Sequence, residues 1–188
     1  PVPGRRGSGV TVAGNPGEII LTDGSVFIDE ANAIYASSNK GILKIEPNGK
    51  EDIVVPFPDI KHFYRTRTGS FYIAYQDRVE KWKIGETQGI IVAGGNGVGN
   101  NPNQLSINQT GLPSIQVTES GSIYIADTGN NRIQRWDPGA TEGVTMAQGD
   151  KVNSLFFVDS GNNLFTASNG IIYKWAANTQ NPVSLHSY

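Results

Sequence analysis

The chain contains no cysteine. That excludes a disulfide framework, a thiolate metal site, a thiol nucleophile and thiol redox chemistry. It leaves the compartment open, because 188 residues of which 37% are hydrophobic can bury a core without covalent staples. Histidine is nearly absent too: His62 and His186 are the two in the chain, so a three-histidine metal centre cannot be assembled from it. Charge is sparse and balanced, 15 basic against 17 acidic residues for a formal net charge of −2, which gives no electrostatic footprint for nucleic acid or an anionic membrane. No apolar run approaches the roughly 20 residues of a membrane-spanning helix. The start at Pro1 shows neither an initiator methionine nor a charged and apolar leader, so the chain reads as processed or cut from something longer.

What the chain does have is a repeated hairpin. Its clearest copy runs from Gly121 to Trp136, with short β-branched and aromatic strands at Ile123 to Ala126 and Ile133 to Trp136 and a turn at Asp127 to Asn131. Weaker copies precede and follow it. Superposed, they align Tyr35, Tyr72, Tyr124 and Phe165 in one column and Ile45, Trp82, Trp136 and Trp175 in another. Around each hairpin an inner and an outer strand can be drawn, giving units at about 24–56, 60–94, 113–148 and 152–187, with a leading outer strand at 9–14. The Gly- and Asn-rich stretch 94–113 is too long for an ordinary loop in a compact domain and reads as an arm crossing from the second unit to the third. Repeats of this length with four strands each predict an all-β fold, a β-propeller of four-stranded blades forming one domain. An ordinary antiparallel sandwich is the alternative. Three basic-Trp pairs at one point of successive units, Lys81-Trp82, Arg135-Trp136 and Lys174-Trp175, argue against it.

The third unit resembles the NHL repeat in Ile123-Tyr124-Ile125-Ala126-Asp127, then Asn131-Arg132-Ile133, then Trp136, and Val92 to Gly97 followed by Asn103-Gln104-Leu105 resembles the linker between such repeats. Asp, Asn and Arg of the motif occur together only in this unit. The resemblance implies propeller blades that usually close as a ring of six, where this chain supplies four and the leading strand. It also implies a zinc-dependent lyase as one function class, since some relatives act so on modified peptide C-termini, but the ligand set that they need is missing.

In a meander of four strands the second-to-third hairpins share one face with the links between blades, which gathers Tyr75, Gln76, Asp77, Asp127, Asn130 and Asn131 as a candidate binding face. Asp127 with Arg132 reads first as a hairpin brace. Asp23, Asp29, Asp59 and Asp159 could meet near an axis as calcium ligands, although turn aspartates capping their own backbone are the commoner case. Gly94 to Gly99 fails as a phosphate loop, because no Lys-Ser or Lys-Thr and no helix follow. Asn108-Gln109-Thr110 is a candidate N-glycosylation sequon. These readings lead to a binding or scaffold module for a protein or glycan partner, extracellular, without cofactor or metal and not an enzyme. The alternative is an extracellular protein that self-assembles through its terminal strand edges.

Overall fold

Short apolar strands separated by Gly, Asn and Pro turns are long enough to cross one sheet and no more, so each unit folds into a small meander. The computed structural model describes residues 21–58, 60, 62–108, 115–152, 156–176 and 181–186. The first sheet is β1 (Leu21–Ile28), β2 (Ile34–Ser38), β3 (Gly41–Ile45) and β4 (Glu51–Val55); the second is β5 (Phe63–Arg65), β6 (Phe71–Ala74), β7 (Arg78–Trp82) and β8 (Ile90–Gly94). The third is β9 (Ile115–Val117), β10 (Ile123–Asp127), β11 (Arg132–Trp136) and β12 (Val144–Gln148), and the fourth is β13 (Phe156–Val158), β14 (Leu164–Ser168), β15 (Ile171–Trp175) and β16 (Val183–His186). Every sheet is antiparallel with its strands in chain order, the blade plan expected from the repeats. The expected leading strand at 9–14 lies outside the described residues, as does Asp59.

The first turn of each sheet is closed by one side chain. Asp29 accepts from the amides of Ala31 and Ala33, both at 3.0 Å, and Asp159 from those of Gly161 and Asn163 at 2.9 and 2.8 Å. In the second and third sheets a threonine does the same work, Thr66 for the Ser70 amide at 3.1 Å and Thr118 for that of Ser122 at 3.2 Å. Asp29 and Asp159 are therefore turn caps, the commoner of the two readings given to the aspartates. The central hairpin differs from expectation at one residue of its turn: Asp127 is a strand residue paired with Arg132, while Thr128–Asn130 form one turn of 3-10 helix and Asn131 completes the turn.

Outer strands carry the same irregularity in all four sheets. The register slips beside Ile42, Val79, Ile133 and Ile172, leaving Val54, Val92, Met146 and Leu185 as the extra residue of a β-bulge. Three of these four turn into apolar clusters between sheets.

Those clusters form the core, and each has the same composition. Tyr35, Ile42 and Val54 of the first sheet meet Phe63, Phe71 and Trp82 of the second. Tyr72, Val79 and Ala93 of the second meet Ile123, Ile125 and Trp136 of the third, and Tyr124, Ile133 and Met146 of the third meet Val158, Leu164 and Trp175 of the fourth. Each tryptophan thus points back to the preceding sheet and each column tyrosine forward to the next. The alternation along a strand sends Lys81, Arg135 and Lys174 to the other side, where Lys81 and Lys174 lie over the rings of Tyr72 and Phe165 at 5.6 and 5.8 Å. Indole N–H groups of Trp82 and Trp175 donate to Glu80 and Thr166, both at 3.0 Å, while that of Trp136 is buried without a partner.

Two outcomes are expected. Trp136→Ala should cost about 3 to 5 kcal/mol in urea unfolding, the range for removing a buried aromatic, and a loss below about 1 kcal/mol would show that the ring is not core. The second concerns acid. Asn163 and backbone amides hold the Asp159 carboxyl below its ordinary value of 3.8; at Asp29 burial opposes ionisation, but bonds from Ala33, Tyr35 and Ala31 outweigh it. Both titrate lower when folded, so each contributes stability above the ordinary value that is lost as pH falls through the lowered one. Stability measured from pH 6 downward should fall less steeply in Asp159→Asn than in the native chain; parallel profiles would count against the cap.

Candidate functional site: the crossing loop and its groove

Residues 95–114 carry the chain from the outer strand of the second sheet to the inner strand of the third, and 95–108 of them are described. Backbone bonds hold the loop to the second sheet at both ends, with the Gly95 amide on the Asp77 carbonyl at 2.9 Å and the Ile107 amide on that of Gln76 at 2.7 Å. Gly94 turns with φ +69°, and a Cβ there would stand 2.3 Å from the Asp77 carbonyl oxygen, so the approach requires glycine. Within the loop Val98 bridges Leu105, and the amides of Asn96 and Gln104 donate to the carbonyls of Asn103 and Asn96, both at 3.0 Å. Leu105 and Ile107 drop into the cluster between the second and third sheets.

The third sheet grips the loop through one ion pair. Asp127, 0% exposed, accepts from Arg132 Nε at 2.6 Å, from Asn130 Nδ2 at 2.9 and 3.0 Å, and from the Ser106 amide at 2.7 Å. Arg132 in turn donates to the carbonyls of Asn100 at 2.8 Å, Asn101 at 3.1 Å and Gln104 at 3.0 Å. Asn130 adds a bond to the Gly99 carbonyl at 2.9 Å, and Asn131 takes the left-handed conformation, φ 49°, that returns the chain to β11. Every charge of the pair is compensated by a fixed dipole of the loop, the condition under which a buried pair is tolerated.

This changes the candidate face. Asp127 presents nothing to solvent, and Asn130 is spent on the loop. Tyr75 is half-buried, with Arg78 stacked on its ring at 4.3 Å and Phe57 edge-on at 5.7 Å; burial, then the nearby Glu80 carboxylate, push its phenol well above the usual value. Asp77 pairs with Arg78 at 3.0 Å. Of the six residues only Gln76 and Asn131 are exposed. Sequence reading missed that Tyr75 and Arg78 occupy the place of Asp127 and Arg132, as the registers Ala74 to Val79 and Ala126 to Ile133 show. The shorter second hairpin was the signal.

Sequence reading also missed a groove of about 680 Å³ between the second and third sheets. Ile91, Asn96, Asn103, Asp137 and Thr141 are exposed along it, Lys81 is partly so, and Tyr72 and Trp136 lie beneath, buried. Asp137 is held by Ser122 at 2.8 Å and Arg135 at 3.2 Å. Its walls come from two sheets and the loop, so no short motif could announce it. Elsewhere, Trp82 and Trp175 are buried core, His62 is buried, and Asn108 is exposed at the loop's end with its amide on Thr128 Oγ1 at 3.0 Å. Gln109 and Thr110 of its sequon lie outside the described residues. Among the described residues no three His, Asp or Glu side chains gather where a metal ion could sit, and no helix is long and apolar enough to cross a membrane.

No family model and no curated protein matches the sequence. Solved structures do match, and they are β-propellers. Virginiamycin B lyase from Staphylococcus aureus aligns over 85% of this chain and 53% of its own, with a TM-score of 0.56 and 15% identity. A gluconolactonase from Xanthomonas campestris aligns over 85% and 60%, at TM-score 0.59 and 12% identity. A chain of the nidogen/laminin complex aligns over 79% and 58%, at TM-score 0.57 and 15% identity. The chain is thus a β-propeller array spanning a little over half the length of these neighbours. The expectation that it is not an enzyme is corrected by the same finding, because two of these three propellers are enzymes and the fold accommodates catalysis.

Arg132→Ala would leave the Asp127 carboxylate buried without its cation, at an expected cost of about 3 to 5 kcal/mol. Hydrogen exchange of amides 95–108 should quicken together; continued protection of that loop would show that the pair does not hold it.

Proposed function

We propose that this chain is an NHL-type propeller module that binds a protein partner outside the cell, with the groove between the second and third sheets as its recognition surface. The observation that carries the reading is the mixed rim of that groove: aliphatic Ile91, amides of Asn96 and Asn103, and the Asp137 carboxylate, exposed side by side on a backbone braced by Arg132. A preorganised surface of this kind loses little entropy on binding. Protein is favoured over glycan because Tyr72 and Trp136, the aromatic rings at the groove, are buried and offer no open face for a sugar to stack on. The nidogen neighbour is described in complex with laminin, which supports a protein partner by analogy of fold alone. The NHL reading is supported by Asp127 and Arg132, which here organise the linker between two blades, and by Asn131, whose left-handed conformation returns the hairpin to β11.

Self-association is a second reading, favoured by the apolar side chains that stand open on the fourth sheet.

A displayed random-peptide library, panned on the immobilised chain, tests the first reading. Selected peptides should lose at least tenfold in affinity on Ile91→Asp and on Asp137→Lys while keeping it on Glu51→Lys, far from the groove. Peptides indifferent to both groove variants, or selective binding on a glycan array instead, would overturn it.

A further inference from the structure

One column of the repeat carries a cation in every sheet: Lys44, Lys81, Arg135 and Lys174 stand directly across the central hairpin from the column rings Tyr35, Tyr72, Tyr124 and Phe165. Three of these cations have a carboxylate from their own chain. Lys44 is bonded to Glu46, and Arg135 pairs with Asp137 at 3.2 Å, in both cases the first residue past the strand. In the fourth sheet bonds from Asn163, then the Gly161 amide and the charge of Lys174, hold the Asp159 carboxyl below its ordinary value. Lys81 is the exception. The first residue past its strand is Lys83, a second cation. Its ammonium sits 5.6 Å from the centre of the Tyr72 ring and makes no ion pair among the described residues.

The missing carboxylate coincides with the groove. Two successive sheet junctions carry grooves of one design, the first with Lys44, Ile53 and the turn 84–87, the second with Lys81, Ile91 and the turn 138–141. Register makes Ile53 and Ile91 equivalent, since they stand opposite Leu43 and Glu80. In the first, of about 430 Å³, Glu46 already answers the lysine. In the second, of about 680 Å³, the lysine is unanswered. Asp137 on the far rim does not serve, because Ser122 donates to one of its oxygens and Arg135 to the other. Lys81 is only partly exposed, and the buried rings of Tyr72 and Trp136 line the same groove, so a carboxylate arriving there meets a charge less screened than one on open surface.

We propose that the groove takes an acidic side chain, an Asp or Glu on an extended segment of the protein partner, with its carboxylate on Lys81 and an apolar neighbour on Ile91. This rests on the reading of the groove as a protein-binding surface and specifies the partner's chemistry. Side-chain carboxylates just past a strand are what Lys44 and Arg135 already hold, so the partner supplies from outside the group that the second sheet lacks within. Lys81 is then a specificity residue. An uncharged segment of the same shape would strip water from the ammonium without pairing it, and is rejected on that account.

Peptides selected on the groove from the displayed library should share one acidic position. For such a peptide, changing the acid to its amide and changing the chain by Lys81→Gln should each weaken binding about tenfold, and the two together no further. The peptide arm needs no variant of the chain, so a folding defect cannot imitate it. Lys81→Glu should prefer the peptide with lysine in place of the acid. Lys44→Gln, which removes the equivalent cation where Glu46 already answers it, should leave affinity unchanged. Unchanged affinity in Lys81→Gln, or losses that simply add, while Ile91→Asp and Asp137→Lys still weaken binding, overturns the acidic partner and leaves the groove standing. Peptides indifferent to all three groove variants sink both.

Discussion

A four-stranded sheet with apolar side chains on both sides cannot be stable in water by itself, and that constraint organises nearly everything in this molecule. Burial of a large side chain contributes about 1.5 to 3 kcal/mol only if something covers it. The second and third sheets solve the problem by lending a forward side to one neighbour and a backward side to another. The chemistry of the contact is free to drift while its geometry stays fixed. Rings meet at Phe27, a phenol reaches a carbonyl at Tyr64, and a carboxamide clasps a whole peptide unit at Gln116. Tryptophan fills the backward side in the second, third and fourth sheets, where one large ring spans the gap between two twisted sheets that smaller residues would leave void.

The longest link in the described chain, from the second sheet to the third, creates a separate difficulty. Its carbonyls pass close over buried residues and need donors. Arg132 supplies three of them from one guanidinium, whose planar fork suits several carbonyls at once, and Asp127 neutralises the charge that this brings inside. At the second hairpin, where backbone carbonyls of Gln76 and Asp77 hold the loop, Tyr75 and Arg78 take the matching positions, keeping the cation and replacing the carboxylate by a ring. The motif of the third unit is thus best understood as a device for pinning a loop. Its rigidity is what shapes the neighbouring groove, so a residue with no exposure governs a surface it never touches.

The blades were legible because period and composition agreed: β-branched runs between Gly and Asn turns, with tyrosine and tryptophan columns whose spacing varied only in the loops. Strand ends were less so. Residue type puts Asp127 in the turn, and its pairing with Arg132 across the hairpin overrides that preference. Hairpins and linker meet on the side that carries the candidate face, yet the side chains of Asp127 and Asn130 are spent on the linker itself. Residue type announces hydrogen-bonding capacity but not whether the chain's own backbone consumes it. The groove was invisible because Ile91, Asn103 and Asp137 become neighbours only after two sheets and a loop are in place. The expectation that the chain is not an enzyme, drawn from its two histidines, is not supported, because propellers of this fold include a lyase and a gluconolactonase.

The repeated bulge bears on how such an array can be extended. Strand edges were the expected route for self-assembly, since the outermost strand of each sheet offers unpaired backbone groups. Yet every outer strand breaks register at the same point, beside Ile42, Val79, Ile133 and Ile172, and a bulge twists an edge and interrupts the ladder that an incoming strand would need. The same bulge does the opposite for the sides of the sheets, because it swings Val54, Val92 and Met146 into the contact with the next sheet. One backbone irregularity therefore discourages growth along the hydrogen-bond direction and equips the sheet for growth by stacking. Leu185 takes the same bulge position in the fourth sheet and is 52% exposed, so the bulge turns an apolar side chain to that side whether or not a described sheet covers it.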